Sequence, residues 1–327
     1  MTHGDHLVRR PYVPLPAPES VPTVDARLAS ALGRPQHGDS AARRVAESLR
    51  GLASSATRGA AKDAADQHGG PGHEVRLPVP SGRVIAVTSI RGGVGKSTVA
   101  ALLGRTFTRL RPDPVLTLEA DAALGTLAVR MGAPSVRWSC PELARILTPR
   151  MDLNDITGYL VPVTDGGWLL PASQGRVGPP LDVPTYRTVS LALRRHFAVT
   201  VVDCETLPGE VARTAMDTAN ARVIVAPRTA EGVGGTRVVL DWLGGLPHRR
   251  AIDSTVVVLT SNAPDMTLDL KTAVAHLREP GVTVLSLPYD RHLAQGGPIH
   301  PAMLAGATQD AAVELAGAAL RRALGMR

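Results

Sequence analysis

Residues 81–103, SGRVIAVTSIRGGVGKSTVAALL, leave a chain few choices of fold. Residues 84–88 form a short apolar run rich in β-branched side chains, which suits a buried strand. Residues 91–96 form a glycine-rich turn, and Val99, Leu102 and Leu103 then recur at helical spacing. Strand, loop and helix in that order make the frame of a phosphate-binding loop. Gly92, Gly93 and Gly95 let the backbone turn tightly and offer its N–H groups to an anion. The following helix aims the positive end of its dipole at the same point. Lys96 is placed to reach the β- and γ-phosphates of a nucleotide, and the Ser97 hydroxyl to ligate Mg²⁺. Val94 and Thr98 complete the loop residues expected to touch the nucleotide. Lysine is rare here: Lys62, Lys96 and Lys271 are the only ones among 36 basic side chains.

The rest of the chain divides by composition. A length of 327 residues suffices for one large α/β domain and an extension. Residues 1–38 are rich in Pro and Ala without periodicity and read as a disordered leader. Residues 39–58, DSAARRVAESLRGLASSATR, read as a basic helix, capped by Asp39 or Ser40 and carrying Val45, Leu49 and Leu52 on one face. That helix either docks on the core or faces a membrane surface or partner. QHGGPG at 67–72 is a linker, so residues 39–80 join the leader to a nucleotide-binding domain at 81–327. Deleting residues 1–80 is expected to leave a folded domain. No apolar run of transmembrane length occurs, and the first residues lack the apolar stretch of a secretion signal. Two cysteines, Cys140 and Cys204, exclude a disulfide framework and point to a reducing, cytoplasmic setting. A net charge of +7 permits DNA or an anionic membrane as a partner without selecting either.

Beyond the loop, apolar β-branched runs alternate with helical patterns. Strands are expected at 115–119, 159–163, 168–171, 198–202, 222–226, 255–259 and 282–285. Helices are expected from the second strand to about 131, then at 141–147, 153–159, 186–196, 211–219, 235–243, 268–277 and 309–324. This predicts an α/β fold with a mostly parallel central sheet covered by helices on both faces. Ligands of such sheets gather at the C-terminal ends of the strands. One of those ends is Asp203, after the apolar strand at 198–202, which is the Walker B pattern: an Asp that holds Mg²⁺ through water. A strand-end Asp can also simply cap the next helix.

The loop departs from the ordinary GxxxxGK[ST] pattern, because Ser89 stands where the first Gly belongs. Instead, Arg91-Gly92-Gly93-Val94-Gly95-Lys96-Ser97 resembles the deviant Walker A motif, KGGxGK[ST], of the ParA/MinD ATPases. The resemblance implies that Arg91, in place of the usual Lys, reaches the phosphates of the partner in an ATP-bridged homodimer. Glu119-Ala120-Asp121 resembles that family's DxD switch I. Asp121 would then orient or deprotonate the attacking water and join Ser97 and Asp203 around Mg²⁺. Asn262, after the strand at 255–259, and Pro288, after that at 282–285, match the family's adenine contacts. The absence of an [NT]KxD box favours ATP over GTP.

The resemblance covers residues 83–327 and is nearest to MinD-like ATPases associated with actinobacterial type VII secretion. It implies a cytoplasmic, Mg·ATP-dependent dimerising switch, with a peripheral place at the inner membrane face as the alternative location. Its expected partner is a protein, with secretion components foremost. Two other functions stay open: a chromosome or plasmid partition ATPase binding DNA nonspecifically, and a nucleotide-binding scaffold without significant hydrolysis. Iron–sulfur carriers with this loop need paired cysteines, which Cys140 and Cys204 do not form.

Overall fold

The computed structural model describes residues 17–31, 33–41, 44, 71–121, 125–164, 166–175, 179–245, 250–278 and 281–326. Eight strands make one sheet: β1 (Arg83–Thr88), β2 (Val115–Ala120), β3 (Val161–Pro162), β4 (Trp168–Leu170), β5 (Val199–Cys204), β6 (Ala221–Pro227), β7 (Thr255–Thr260) and β8 (Thr283–Leu287). Their spatial order is β8-β7-β6-β1-β5-β2-β4-β3. Every neighbouring pair is parallel except β3 and β4. The β-branched runs explain the interior: β2, β5, β6 and β7 are buried along their whole length, as strands covered on both faces must be. The two flanks differ. β8 is only half-buried, and β3 carries Pro162, a residue that edge strands tolerate because no neighbour needs its missing N–H.

Side chains alternate along β1 and feed two cores. Ile85 and Val87 join one layer with Val99, Leu103 and Phe107 of α1 (Lys96–Leu110) and Leu315 of α6 (Gly306–Ala323). Val84 and Ala86 join the other. That second layer includes side chains of α2 (Val183–Leu193), α3 (Glu210–Thr218), α4 (Ala230–Gly244) and α5 (Leu270–Leu277). The doubly wound sheet expected from the sequence is therefore the fold.

Helix boundaries shift from the expected ones where caps decide them. Asp182 accepts from the Thr185 N–H and starts α2 with Pro184 in its first turn. Thr229 accepts from the Gly232 N–H and starts α4 five residues before Gly235. Both are polar N-caps that periodicity alone does not weigh. The helix expected between β2 and about 131 spans only Leu127–Arg130, and residues 122–124 lie outside the described set.

Described parts of residues 1–80 touch this fold. Val21–Pro22 pairs antiparallel with Ser135–Val136. Pro71–Val75 is a short helix whose Val75 is fully buried in the core shared with α6. The Arg111 Nη1 group donates to the Val75 carbonyl at 2.6 Å and the Leu77 carbonyl at 2.8 Å, which fixes the approach to β1. The basic helix expected at 39–58 falls outside the described residues beyond 41, apart from Arg44. Among the described residues, no helix is long and apolar enough to cross a membrane.

β1 lies near the middle of the sheet, with β5 and β2 on one side and β6 on the other. The chain leaves β1 for β2 on one flank and later returns to β6 on the opposite one. The C-terminal end of β1 is thus the switch point where such sheets open a crevice.

Candidate functional site

The glycine-rich loop occupies that switch point. Gly93 and Gly95 have φ of 74° and 100°, left-handed values that glycine adopts without strain. Gly95 is the N-cap of α1 and supplies no side-chain acceptor, so no side chain competes with an anion for the first-turn N–H groups. Two contacts hold the loop. The Ser89 hydroxyl donates to the Arg91 carbonyl at 2.6 Å, and the Thr260 hydroxyl donates to the Val94 carbonyl at 3.1 Å. Lys96 is 8% exposed, and its ammonium donates to the Thr206 hydroxyl at 3.1 Å.

Beside the loop, register brings two acids together. Val87 of β1 sits opposite Asp203 of β5, and Asp203 sits opposite Glu119 of β2. Asp203 is fully buried, and neither carboxylate oxygen has a hydrogen-bond partner. Burial pushes its carboxyl up to about 8. The Ser97 hydroxyl and the Lys96 ammonium oppose that rise, while Glu119 and Asp121 add to it. Ser97 and Lys96 do not restore an ordinary carboxylate there, and ionising a buried carboxyl is costly unless further positive charge compensates it. A divalent cation resting on Asp203 and the Ser97 hydroxyl would do so, so the residues present fit Mg²⁺. Among the described residues no group of three or more His, Cys, Asp or Glu could hold a metal.

Glu119 has a structural task. Its Oε1 accepts from the Leu127 N–H at 3.0 Å and its Oε2 from the Ala172 N–H at 3.2 Å. Burial pushes its carboxyl up to about 7, against those two bonds, and the Asp121 charge adds to the rise. Gly125 makes room for it, since a Cβ there would overlap the carboxylate. We therefore expect Gly125→Ala to lower stability by about 1–3 kcal/mol, the usual cost of overpacking. Urea denaturation checks this, and an unchanged midpoint would mean the Glu119 strut is dispensable. Asp121 follows directly after β2 and is half-buried.

A cavity of about 260 Å³ opens next to the loop. Gly93, Val94, Gly95 and Thr98 line one wall, and Asn262 and Pro288 line the other. The sequence had placed these residues far apart in the chain and the fold brings them to one space. Tyr289 and Arg130 also line it, and neither was anticipated. Arg130 Nη1 donates to the Leu293 carbonyl at 3.0 Å, and burial lowers its pKa from the ordinary value. Thr206, the Lys96 partner, was missed as well. Its only sequence signal is its place just after the Asp203 strand.

Gly92 and Arg91 stand on the exposed outer lip of the loop. Arg91 Nη1 lies 3.4 Å from Glu231 Oε2 in the first turn of α4, with both side chains more than half exposed. Glu205 accepts from the Val211 N–H in the first turn of α3 at 3.2 Å.

Comparison with known proteins places this geometry. No family model matches the chain. The ESX-1 secretion-associated protein EspI of Mycobacterium tuberculosis is 28% identical over 242 residues, which is 72% of this chain. The chain spans 36% of the length of that relative. Among solved structures, a ParA family ATPase of Chlorobium tepidum superposes with a TM-score of 0.54 at 14% identity, covering 74% of this chain and 91% of its own. The cell division protein MinD of Aquifex aeolicus gives 0.52 at 22% identity, covering 71% and 96%. The septum site-determining protein MinD of Pyrococcus horikoshii, complexed with Mg-ADP, gives 0.53 at 19%, covering 72% and 94%. The chain thus has the fold of the ParA/MinD ATPases, with a secretion-associated relative in EspI.

Proposed function

We propose that the chain is a Mg·ATP-dependent ATPase that dimerises around its nucleotide, separates on hydrolysis, and reports that switch to a type VII secretion apparatus. The observation that carries the reading is the orphaned, buried Asp203 carboxylate beside Ser97 and Lys96, at the mouth of an uncapped helix. A site that receives a cation and phosphates gives that arrangement a use. Mg²⁺ held by Ser97 and Asp203 would neutralise charge on the phosphates. The N–H groups from Gly93 to Ser97 would cradle the phosphates, and Lys96 would leave Thr206 to meet them. Asn262 would offer its amide to the adenine edge, with Pro288 against the ring. Asp121 would hold the attacking water and accept its proton. The secretion assignment rests on the likeness to EspI.

Phosphate release by the full chain with Mg·ATP tests the enzymatic part. Turnover no faster than that of a Lys96→Ala variant would defeat it. Arg91 tests the dimeric part. Its pair with Glu231 is exposed and worth well under about 1 kcal/mol, so the side chain is free to swing outward. We expect Arg91→Ala to leave nucleotide binding by one protomer almost unchanged but to depress hydrolysis by about 10³-fold, the low end for a lost arginine acting in trans. Arg91→Lys should retain activity. Full hydrolysis by Arg91→Ala would leave Arg91 as a loop residue with no part in the chemistry.

A further inference from the structure

The part of the chain that composition marks as a leader reaches the walls of the base cavity from behind. One contact is at Gly38. Its N–H donates to the Met303 carbonyl at 2.7 Å, and its carbonyl accepts from the Arg291 N–H at 3.2 Å. The Gln36 N–H donates to the Gln295 side chain at 2.8 Å, and Arg291 Nη2 donates back to the Gln36 side chain at 3.1 Å. Gly38 lies so close to Asp290 that a Cβ would overlap the Asp290 carboxylate and the Ala305 nitrogen.

Asp290 is the centre of this contact. It is buried, and one oxygen accepts from the His292 and Leu293 N–H groups at 2.8 and 3.2 Å. Its other oxygen accepts from the Ala305 N–H at 2.9 Å. Asp290, Leu293 and Ala294 line the cavity on their other side. The loop after β8 is thus held between the leader and the space where a base would lie.

A second contact lies just beyond another lining residue, Arg130. Besides the Val21–Pro22 pairing, the Thr23 hydroxyl donates to the Ala133 carbonyl at 2.5 Å and its N–H to the Pro134 carbonyl at 3.2 Å. Residues 133–136 follow Arg130, which lines the cavity. Arg130 links the two contacts, through its side chain to the Leu293 carbonyl and through its own carbonyl, which accepts from the Ile299 N–H at 3.0 Å.

We infer that residues 20–23 and 36–39 form a strap that positions the Arg130 and Asp290–Ala294 side of the base cavity and couples leader docking to nucleotide affinity. The inference rests on the reading of this cavity as a nucleotide site. Docking and binding then share one free energy: filling the cavity secures the leader, and drawing the leader away loosens the nucleotide. Sequence alone hides such a strap, because it uses hydrogen bonds and one glycine in place of an apolar stripe.

The test is an equilibrium titration of a fluorescent ATP analogue, with Mg²⁺, into the full chain and its Gly38→Val variant. Gly33→Val is the control, since a Cβ at Gly33 meets nothing within 4 Å. Gly38→Val should weaken binding by about tenfold, within the usual range of coupling between sites, and Gly33→Val should leave it unchanged. Hydrogen exchange should show residues 36–39 losing protection in the Gly38→Val protein. The wild type should gain protection there when the analogue saturates it, a readout that needs no variant. A released leader with unchanged affinity, or wild-type protection that ignores the analogue, would overturn the strap alone. A wild type that binds the analogue no better than Lys96→Ala would overturn the nucleotide reading and the strap with it.

Discussion

Replacing Lys96 by alanine is expected to weaken ATP binding by at least about 10²-fold while leaving the fold intact. The side chain is nearly buried at the start of α1, and among the described residues its ammonium donates to the Thr206 hydroxyl. That neutral partner is easily exchanged for phosphate oxygens. Two charge-assisted hydrogen bonds of about 1.5–3 kcal/mol each account for the expected loss. The other cation at the loop, Arg91, points to Glu231 on the outer lip and cannot substitute within the same protomer. Titration with a fluorescent ATP analogue measures the effect, and a thermal melt confirms the fold. Wild-type affinity in the variant would remove the phosphate-loop reading altogether.

The second large effect is expected at Asp121. Asp121→Ala should bind ATP normally, because the base cavity is lined by other residues, yet hydrolyse it about 10²-fold to 10⁴-fold more slowly. Elimination among the acids at the strand ends points to Asp121: Glu205 is committed to the Val211 N–H, and Asp290 to the His292, Leu293 and Ala305 N–H groups. Asp203 is buried beside Ser97, where the cation is proposed, and Glu119 is committed to the Leu127 and Ala172 N–H groups. Asp121 is the acid left with partial exposure to accept a proton. Single-turnover measurement with saturating ATP separates this from a binding defect. Turnover equal to wild type would leave Asp121 as a strand-end residue without a catalytic part.

How much of this was legible depends on the distance over which each residue acts. The loop from Arg91 to Thr98 was readable because strand, turn and helix are local and each glycine has a local reason. Asp203 was readable as the end of an apolar run. The parallel sheet followed from buried β-branched strands, whose burial on both faces leaves little alternative. Asn262 and Pro288 meet the loop in one cavity, but nothing in their own surroundings announces this, and only resemblance pointed to them. Arg130, Thr206 and Gly125 were not legible, because each acts on a partner reached only through the fold. Glu119 was read as a stand-in for a switch acid, whereas its extra methylene carries it to two backbone N–H groups. Residues 1–80 show the limit of periodicity as a guide. Val75 is a single buried side chain and Gly38 has none, so neither leaves a pattern in composition.

The central claim is that ATP controls the association of two copies of this chain. Sedimentation velocity of the Asp121→Ala protein tests it most directly, because slow hydrolysis holds the ATP state long enough to be weighed. The account predicts a dimer with Mg·ATP and a monomer with Mg·ADP, with Lys96→Ala monomeric in both. A single species of unchanged mass in Mg·ATP, Mg·ADP and nucleotide-free buffer would contradict it.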